Sequence, residues 1–328
     1  MRAELDLGLG DQDLPEPLLV VDLGASPAEL AALDAAVGGL PCVLVGVADQ
    51  PDRPPLGFDV LLCAASDPPA PWVGAPDLDR ALAAIAAVVA RSPLASVALV
   101  QLLRLGGTLP IDDAVVAESF VYSTLQAGPE FGAWLASRHA SSHRDQPEEV
   151  VRLARHGPVL DIELHRPSVR NALDAAMRDA LVTAFRLVQA DPTIELARLH
   201  GSGPDFCSGG DLSEFGTAPD PATAHAVRVS RSVGLALARC ADRVEVEVHG
   251  ACIGAGIEIP AFARRIVATA DAAFALPEVG FGLVPGAGGT ASLPRRIGRH
   301  RTAFLALSGT TISATTAKTW GLVDELVR

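Results

Sequence analysis

The chain has 328 residues, 49% of them hydrophobic and only 4% aromatic, so it can bury one large core or two smaller ones built from Ala, Val and Leu. A net charge of −13 argues against nucleic acid as a partner, because phosphate binding needs a basic face. The five cysteines (Cys42, Cys63, Cys207, Cys240, Cys252) lack metal-ligand spacing and read as free thiols of a cytoplasmic protein; neither a signal peptide at Met1 to Asp13 nor a membrane span is expected.

Residues 1–16 read as a loose polar arm. Leu18 to Leu23 reads as a buried strand, and Ser26-Pro27-Ala28-Glu29 as the capped start of a helix to about Val37. Pro41 to Val47 and Phe58 to Cys63 read as strands, and the Pro-rich stretch 66–76 as a linker. From Asp77 the pattern is helical, with one helix to Arg91, a break at Ser92-Pro93, another helix to Leu105, then Asp112 to Leu125 and Pro129 to His139. Residues 140–149 read as an exposed connector. Beyond it come a strand pair at Val151 to Leu164, a helix opened by Asn171, and strands at Leu196 to His200, Val244 to His249, Ile266 to Ala270 and Ala273 to Leu276. This alternation predicts an α/β layered fold. Three units follow: an N-terminal α/β extension (1–76), a helical module (77–149) and a catalytic core (150–328).

Two glutamates stand out. Glu258 ends the run His249-Gly250-Ala251-Cys252-Ile253-Gly254-Ala255-Gly256-Ile257-Glu258, and Glu278 opens a second glycine-rich run to Thr290. An ionised group in such apolar sequence loses hydration, and two carboxyl groups in one pocket can be driven to different pKa values, as shared acid and base work requires. The competing reading is a salt-bridged structural pair. A third loop, Gly201 to Leu212, is expected to follow a strand and open a helix at Gly209-Gly210, where N–H donors favour negative charge. With Gly254-Ala255-Gly256 it can aim two N–H groups at one oxygen, an oxyanion hole for a thioester enolate.

These stretches carry a family resemblance. His165-Arg166-Pro167 with Arg170-Asn171-Ala172-Leu173, the Phe206 to Leu212 loop, the Gly250 to Glu258 and Pro277 to Thr290 runs, and Gly321-Leu322-Val323-Asp324 resemble, in order and spacing, the crotonase (enoyl-CoA hydratase/isomerase) superfamily over about 155–328. The resemblance implies a ββα spiral core and a homotrimer or a dimer of trimers. It implies oxyanion donors at Gly210 and Ala255, and a coenzyme A site lined by Ser208, Gly210, Asp211, Leu212 and Ser213. Glu258 and Glu278 match the glutamate pair of the hydratase branch. The implied reaction is addition of water to a trans-2-enoyl-CoA. No metal or bound redox cofactor is then expected, since coenzyme A belongs to the substrate. An isomerase, a dioxygenase or hydrolase relative, and a non-catalytic scaffold subunit are the alternatives.

There are departures. His249 replaces a usual Asn and reads as structural, Ala255 replaces a common Gly, and Ser213 sits where some members have Lys. Glu245 and Glu247 lie on a strand usually apolar on both faces, so one face is expected to meet water or a partner's arginine. The helices that normally follow Gly-Leu-Val-Asp resemble residues 77–140 instead, so the helical module reads as a tail moved to the front, with 18–63 the remnant of a second crotonase half. Among lesser signals, His139 and His143 read as an exposed helix end, Cys207 as a small core residue, and Gly286 to Gly289 as neither a dinucleotide nor a P-loop motif. The cluster Arg295, Arg296, Arg299 and Arg301 reads as a phosphate contact, a subunit contact or a solvated helix face.

Overall fold

A computed structural model describes residues 16–24, 40–51, 54, 57–138 and 149–327. The expected helix at Ser26 to Val37 and the pair His139 and His143 lie outside the described residues.

Strands β1 (Leu18–Asp22), β2 (Val43–Ala48), β3 (Val60–Cys63) and β4 (Val73–Gly74) form a parallel sheet in that order. Parallel strands covered on both faces read as apolar runs rather than as alternations, and β2 and β3 do so. Val43, Val45, Val60 and Leu62 face the main core, while Leu44, Leu61 and Cys63 meet Leu23, Phe58 and Trp72 on the other side. The stretch 66–76 is therefore not a plain linker: it carries β4, buries Trp72 and Val73, and holds a cis Ala70–Pro71 bond.

Helices α1 (Leu78–Arg91), α2 (Pro93–Gly106), α3 (Ile111–Gln126) and α4 (Pro129–Ser137) follow. Asp77 caps α1 by accepting from Arg80 N. Ser92, ahead of Pro93, makes no side-chain cap; Glu130 does it from α4, accepting from Leu94 N at 2.7 Å and Ala95 N at 3.0 Å.

The C-terminal part holds a six-stranded sheet in the order β5 (Val151–His156), β6 (Val159–Leu164), β7 (Leu196–Gly201), β8 (Val244–Val248), β10 (Arg265–Thr269), β13 (Glu325–Val327), parallel except for the β5–β6 hairpin. A small sheet joins β9 (Ala251–Ile253), β11 (Ala273–Ala275) and β12 (Ile312–Ser313). Helix α5 (Ala175–Ala190) is capped by Asp174, which accepts from Met177 N, and not by Asn171. Asn171 sits at φ 52°, a conformation Asn tolerates better than most residues. Helices α6 (Pro221–Ser230), α7 (Val233–Ala238), α8 (Ala255–Glu258), α9 (Gly289–Ser308) and α10 (Ala314–Trp320) complete the chain. On β8 the valines are buried; Glu247 is exposed, and Glu245 pairs with Arg264 and Arg265.

Helix α9 ties the parts together by packing on α1, α2, α3 and β3. Arg295, Arg299 and Arg301 are built into this contact and Arg296 into the C-terminal part, so the cluster is not a free basic patch. Arg299 joins Arg104 in gripping the buried Asp59, at 3.3 and 2.5 Å. Arg301 donates to Trp72 O and Pro68 O and lies over the Trp320 ring. Arg295 donates to Leu109 O, and Arg296 to Ala261 O and Ala263 O.

Candidate active site

The site rests on β9 and β11, which pair in parallel with Ile253 opposite Ala275. Their ends deliver the Gly254 to Glu258 turn and Glu278 side by side, and Gly254 N donates to Ala275 O at 2.9 Å. The Cys207 loop is stitched to the same edge by Cys207 N to Ala251 O (3.1 Å) and Ile253 N to Cys207 O (3.0 Å). A Cβ on Gly256 would overlap the Cys207 carbonyl, so this backbone approach requires glycine. Asn171 secures the loop from the other side. Its Nδ2 donates to Ser202 O, Asp205 O and Phe206 O, and its Oδ1 accepts from Arg166 N.

Gly210, Ala255, Glu258 and Glu278 line one cavity of about 440 Å³. Among the described residues neither Gly210 N nor Ala255 N donates to a protein acceptor. The loop does not open a long helix as expected: a single 3₁₀ turn, Leu212–Glu214, follows, and the next helix begins at Pro221. The donors at Gly210 therefore act as local amides, without a macrodipole behind them.

The two glutamates face each other across Gly254, where an added Cβ would collide with Glu278 Oε1 and stand 3.8 Å from Glu258 Oε1. They are 2% and 9% exposed, and their surroundings differ. Glu258 Oε2 accepts from Ala287 N at 2.7 Å and Gly289 N at 2.9 Å. Burial pushes its pKa up and these two N–H groups pull it back, to about 7. Among the described residues Glu278 Oε2 has no hydrogen-bond partner. Burial first, then the charge of Glu258, hold the Glu278 carboxyl well above the usual range.

A third carboxyl group joins them that the motifs did not reveal. Glu118, on α3, is 1% exposed and lines the same cavity. Its Oε1 accepts from Gly288 N (2.7 Å), and its Oε2 from Thr290 N (2.8 Å) and Thr290 Oγ1 (2.7 Å). Burial and the Glu258 charge raise it to about 8, against the pull of Thr290 and Gly288. Tyr122, one turn on, lies against Gly286 and under the Arg228 guanidinium, 4.1 Å from its ring centroid. Glutamate on a helix usually marks a solvated face, and only the fourfold spacing of Glu118 and Tyr122 hinted at a shared one.

Of the residues proposed to line coenzyme A, Gly210 and Asp211 border the cavity; Ser208, Leu212 and Ser213 are not among its lining residues. Ser208 Oγ turns to Val169 O, Leu212 is 39% exposed with its carbonyl accepting from Arg138, and Ser213 donates to Asp211. Burial works against the Asp211 charge, but Ser213 and Arg166 outweigh it and hold the carboxyl below its usual range. His249 Nε2 meets Gly203 O at 3.0 Å, a structural contact. Burial raises the Cys207 thiol to about 12, which removes it as a nucleophile.

A family model described as enoyl-CoA hydratase/isomerase matches residues 154–328. The mevalonyl-coenzyme A hydratase SIDH of Beauveria bassiana is 34% identical over 177 residues, covering 52% of this chain and 63% of that one. The 2,3-dehydroadipyl-CoA hydratase of Escherichia coli is 33% identical over 174 residues, covering 53% and 68%. The chain thus spans a little under two thirds of the length of the Beauveria relative. A solved enoyl-CoA hydratase from Mycobacterium smegmatis superposes with a TM-score of 0.52 at 34% identity, over 55% of this chain and 70% of that one. The glycine turns and the paired carboxyl groups fall within the matched residues 154–328, more than half of the sequence, and on that ground the chain belongs to the enoyl-CoA hydratase/isomerase family.

Proposed function

We propose that this protein adds water across the C2=C3 bond of a trans-2-enoyl-CoA thioester, giving a 3-hydroxyacyl-CoA. The observation that carries the reading is the asymmetry of the glutamate pair. Glu258 holds two backbone N–H donors, and Glu278 holds none on its inner oxygen. Near neutral pH this favours an ionised Glu258 beside a protonated Glu278, a base and an acid on one substrate.

In this mechanism the thioester oxygen sits between Gly210 N–H and Ala255 N–H, each worth about a hundred- to thousandfold in rate. Glu258 takes a proton from water as its oxygen attacks C3. The C2=C3 electrons move to the thioester oxygen as an enolate, and Glu278 returns a proton to C2. Each proton transfer contributes about a hundred- to ten-thousandfold. The isomerase alternative needs Glu278 ionised at rest, which its burial and the Glu258 charge oppose. We read α1–α4 as the tail module standing at the front of the chain; the contribution of Val115, Glu118, Tyr122 and Gln126 to the cavity supports this. A homotrimer or a dimer of trimers remains the proposed assembly.

The test is ultraviolet loss of the enoyl-thioester band with crotonyl-CoA and longer enoyl-CoAs. Wild-type hydration that disappears in both Glu258→Gln and Glu278→Gln is expected. No hydration by the wild type, or full hydration by Glu278→Gln, sinks the reading.

A further inference from the structure

Four consecutive N–H groups, at Ala287, Gly288, Gly289 and Thr290, span the turn that leads into α9. A helix start leaves such donors without intrahelical partners. Here they are shared alternately between two carboxyl groups from distant parts of the chain. Ala287 and Gly289 donate to Glu258, and Gly288 and Thr290 donate to Glu118. The turn is thereby gripped from two sides. Glu118 lies outside the stretch that the family model matches, on a helix that packs against α9.

We propose that Glu118 is a positioning residue for the reaction: by fixing Gly288 and Thr290 it sets the turn whose Ala287 and Gly289 N–H groups aim the Glu258 carboxylate into the cavity. The helical module thus completes the machinery of the core and does more than cover it. An alanine at this position would leave two buried N–H groups without acceptors and let the turn shift to find water. A displacement of about 1 Å at a reacting group lowers rate by about a hundredfold. Substrate binding uses the Gly210 and Ala255 donors and a wide cavity wall, of which Ala287 and Gly288 of this turn are a small part, so the loss is expected chiefly in kcat.

The inference rests on the hydratase reading, and the experiment separates the two. Glu118→Gln keeps the shape but replaces one acceptor oxygen with a donor, so Gly288 and Thr290 cannot both be served. With the full chain and crotonyl-CoA, kcat of Glu118→Gln should fall at least tenfold with KM within twofold of wild type, at an unchanged circular dichroism spectrum. Thr290→Val removes only the hydroxyl donor and should lower kcat about threefold at unchanged KM. If Glu118→Gln does not fold, Thr290→Val decides: the kcat loss at constant KM supports the proposal, and wild-type kcat overturns it. A folded Glu118→Gln enzyme with wild-type kcat, or one whose whole loss lies in KM, also overturns it. If the wild type hydrates no enoyl-CoA, the hydratase reading fails alone. The positioning role is then read from C2 proton exchange of butyryl-CoA in heavy water, which any enolate chemistry at this site shares. No exchange in the wild type, or equal exchange in the wild type and Glu118→Gln, sinks it there too.

Discussion

Glu258→Gln should make the protein inactive and, at slightly alkaline pH, more stable. The Glu258 carboxyl has its pKa raised from 4.5 to about 7 by burial. An acid that holds its proton more tightly folded than unfolded destabilises the fold once ionised. Its contribution is fully present below pH 4.5, is lost as pH rises towards about 7, and stays lost above. At about 1.4 kcal/mol per pKa unit the loss is about 3 kcal/mol. Glutamine carries no charge, and its carbonyl oxygen can keep the Ala287 and Gly289 N–H donors, so this penalty disappears. Removing the Glu258 charge also relieves Glu118, whose pKa it helps to raise. Glu258→Gln should therefore match wild type in urea denaturation at pH 4.5 and exceed it by about 3 kcal/mol at pH 8. Over the same range its hydration rate should be down by about a hundred- to ten-thousandfold. A variant less stable than wild type at pH 8 would show that Glu258 is a structural ion and refute the argument. So would one keeping a tenth of the wild-type rate.

Other outcomes follow from the same geometry. Glu278→Gln should lose about a hundred- to ten-thousandfold in hydration, measured on crotonyl-CoA, while still binding the product, because it removes the C2 proton donor and no donor of the oxyanion pair. Gly254→Ala places a methyl group against Glu278 Oε1 at φ 51°, where a side chain is strained by about 1–3 kcal/mol. It should lower both the melting temperature and kcat, and a variant with normal kcat would deny that the two carboxyl groups meet across this glycine. Asp59→Ala leaves Arg104, Arg299 and Leu44 N without their shared acceptor and should cost about 3–5 kcal/mol in urea denaturation, with the activity of the folded fraction unchanged.

The parts of the site legible in the sequence were those in which backbone itself sets the spacing. Gly254 and Gly256 are glycine because a carboxyl oxygen and a carbonyl stand where a Cβ would be, and that demand leaves a run of fixed order. Periodicity likewise placed α1 to α3, whose apolar stripes face one core. What failed to show were side chains whose role depends on a remote partner. Asn171 looks like an N-cap because Asn often is one, yet its side chain holds three carbonyls from the loop 31 to 35 residues away. The four arginines of α9 look like a basic patch, but the carbonyls and the carboxylate that use them include groups 186 to 240 positions distant. Glu118 reaches donors 170 and 172 residues on, and no local pattern encodes that.

That distance explains how one helix start can serve both stability and chemistry. Two carboxyl groups in one apolar pocket repel, and each raises the proton affinity of the other. Four N–H donors at the head of α9 offset this only because they are dealt alternately, so neither carboxyl group is left without support. Glu278 receives none of these donors, and burial with the Glu258 charge holds its carboxyl group well above the usual range. Backbone hydrogen bonds thus distinguish Glu258 from Glu278, while burial is the largest influence on both. Two of the four donors are taken by Glu118 on α3, so the turn that supports the Glu258 carboxyl group is tied to the packing of the helical module against α9.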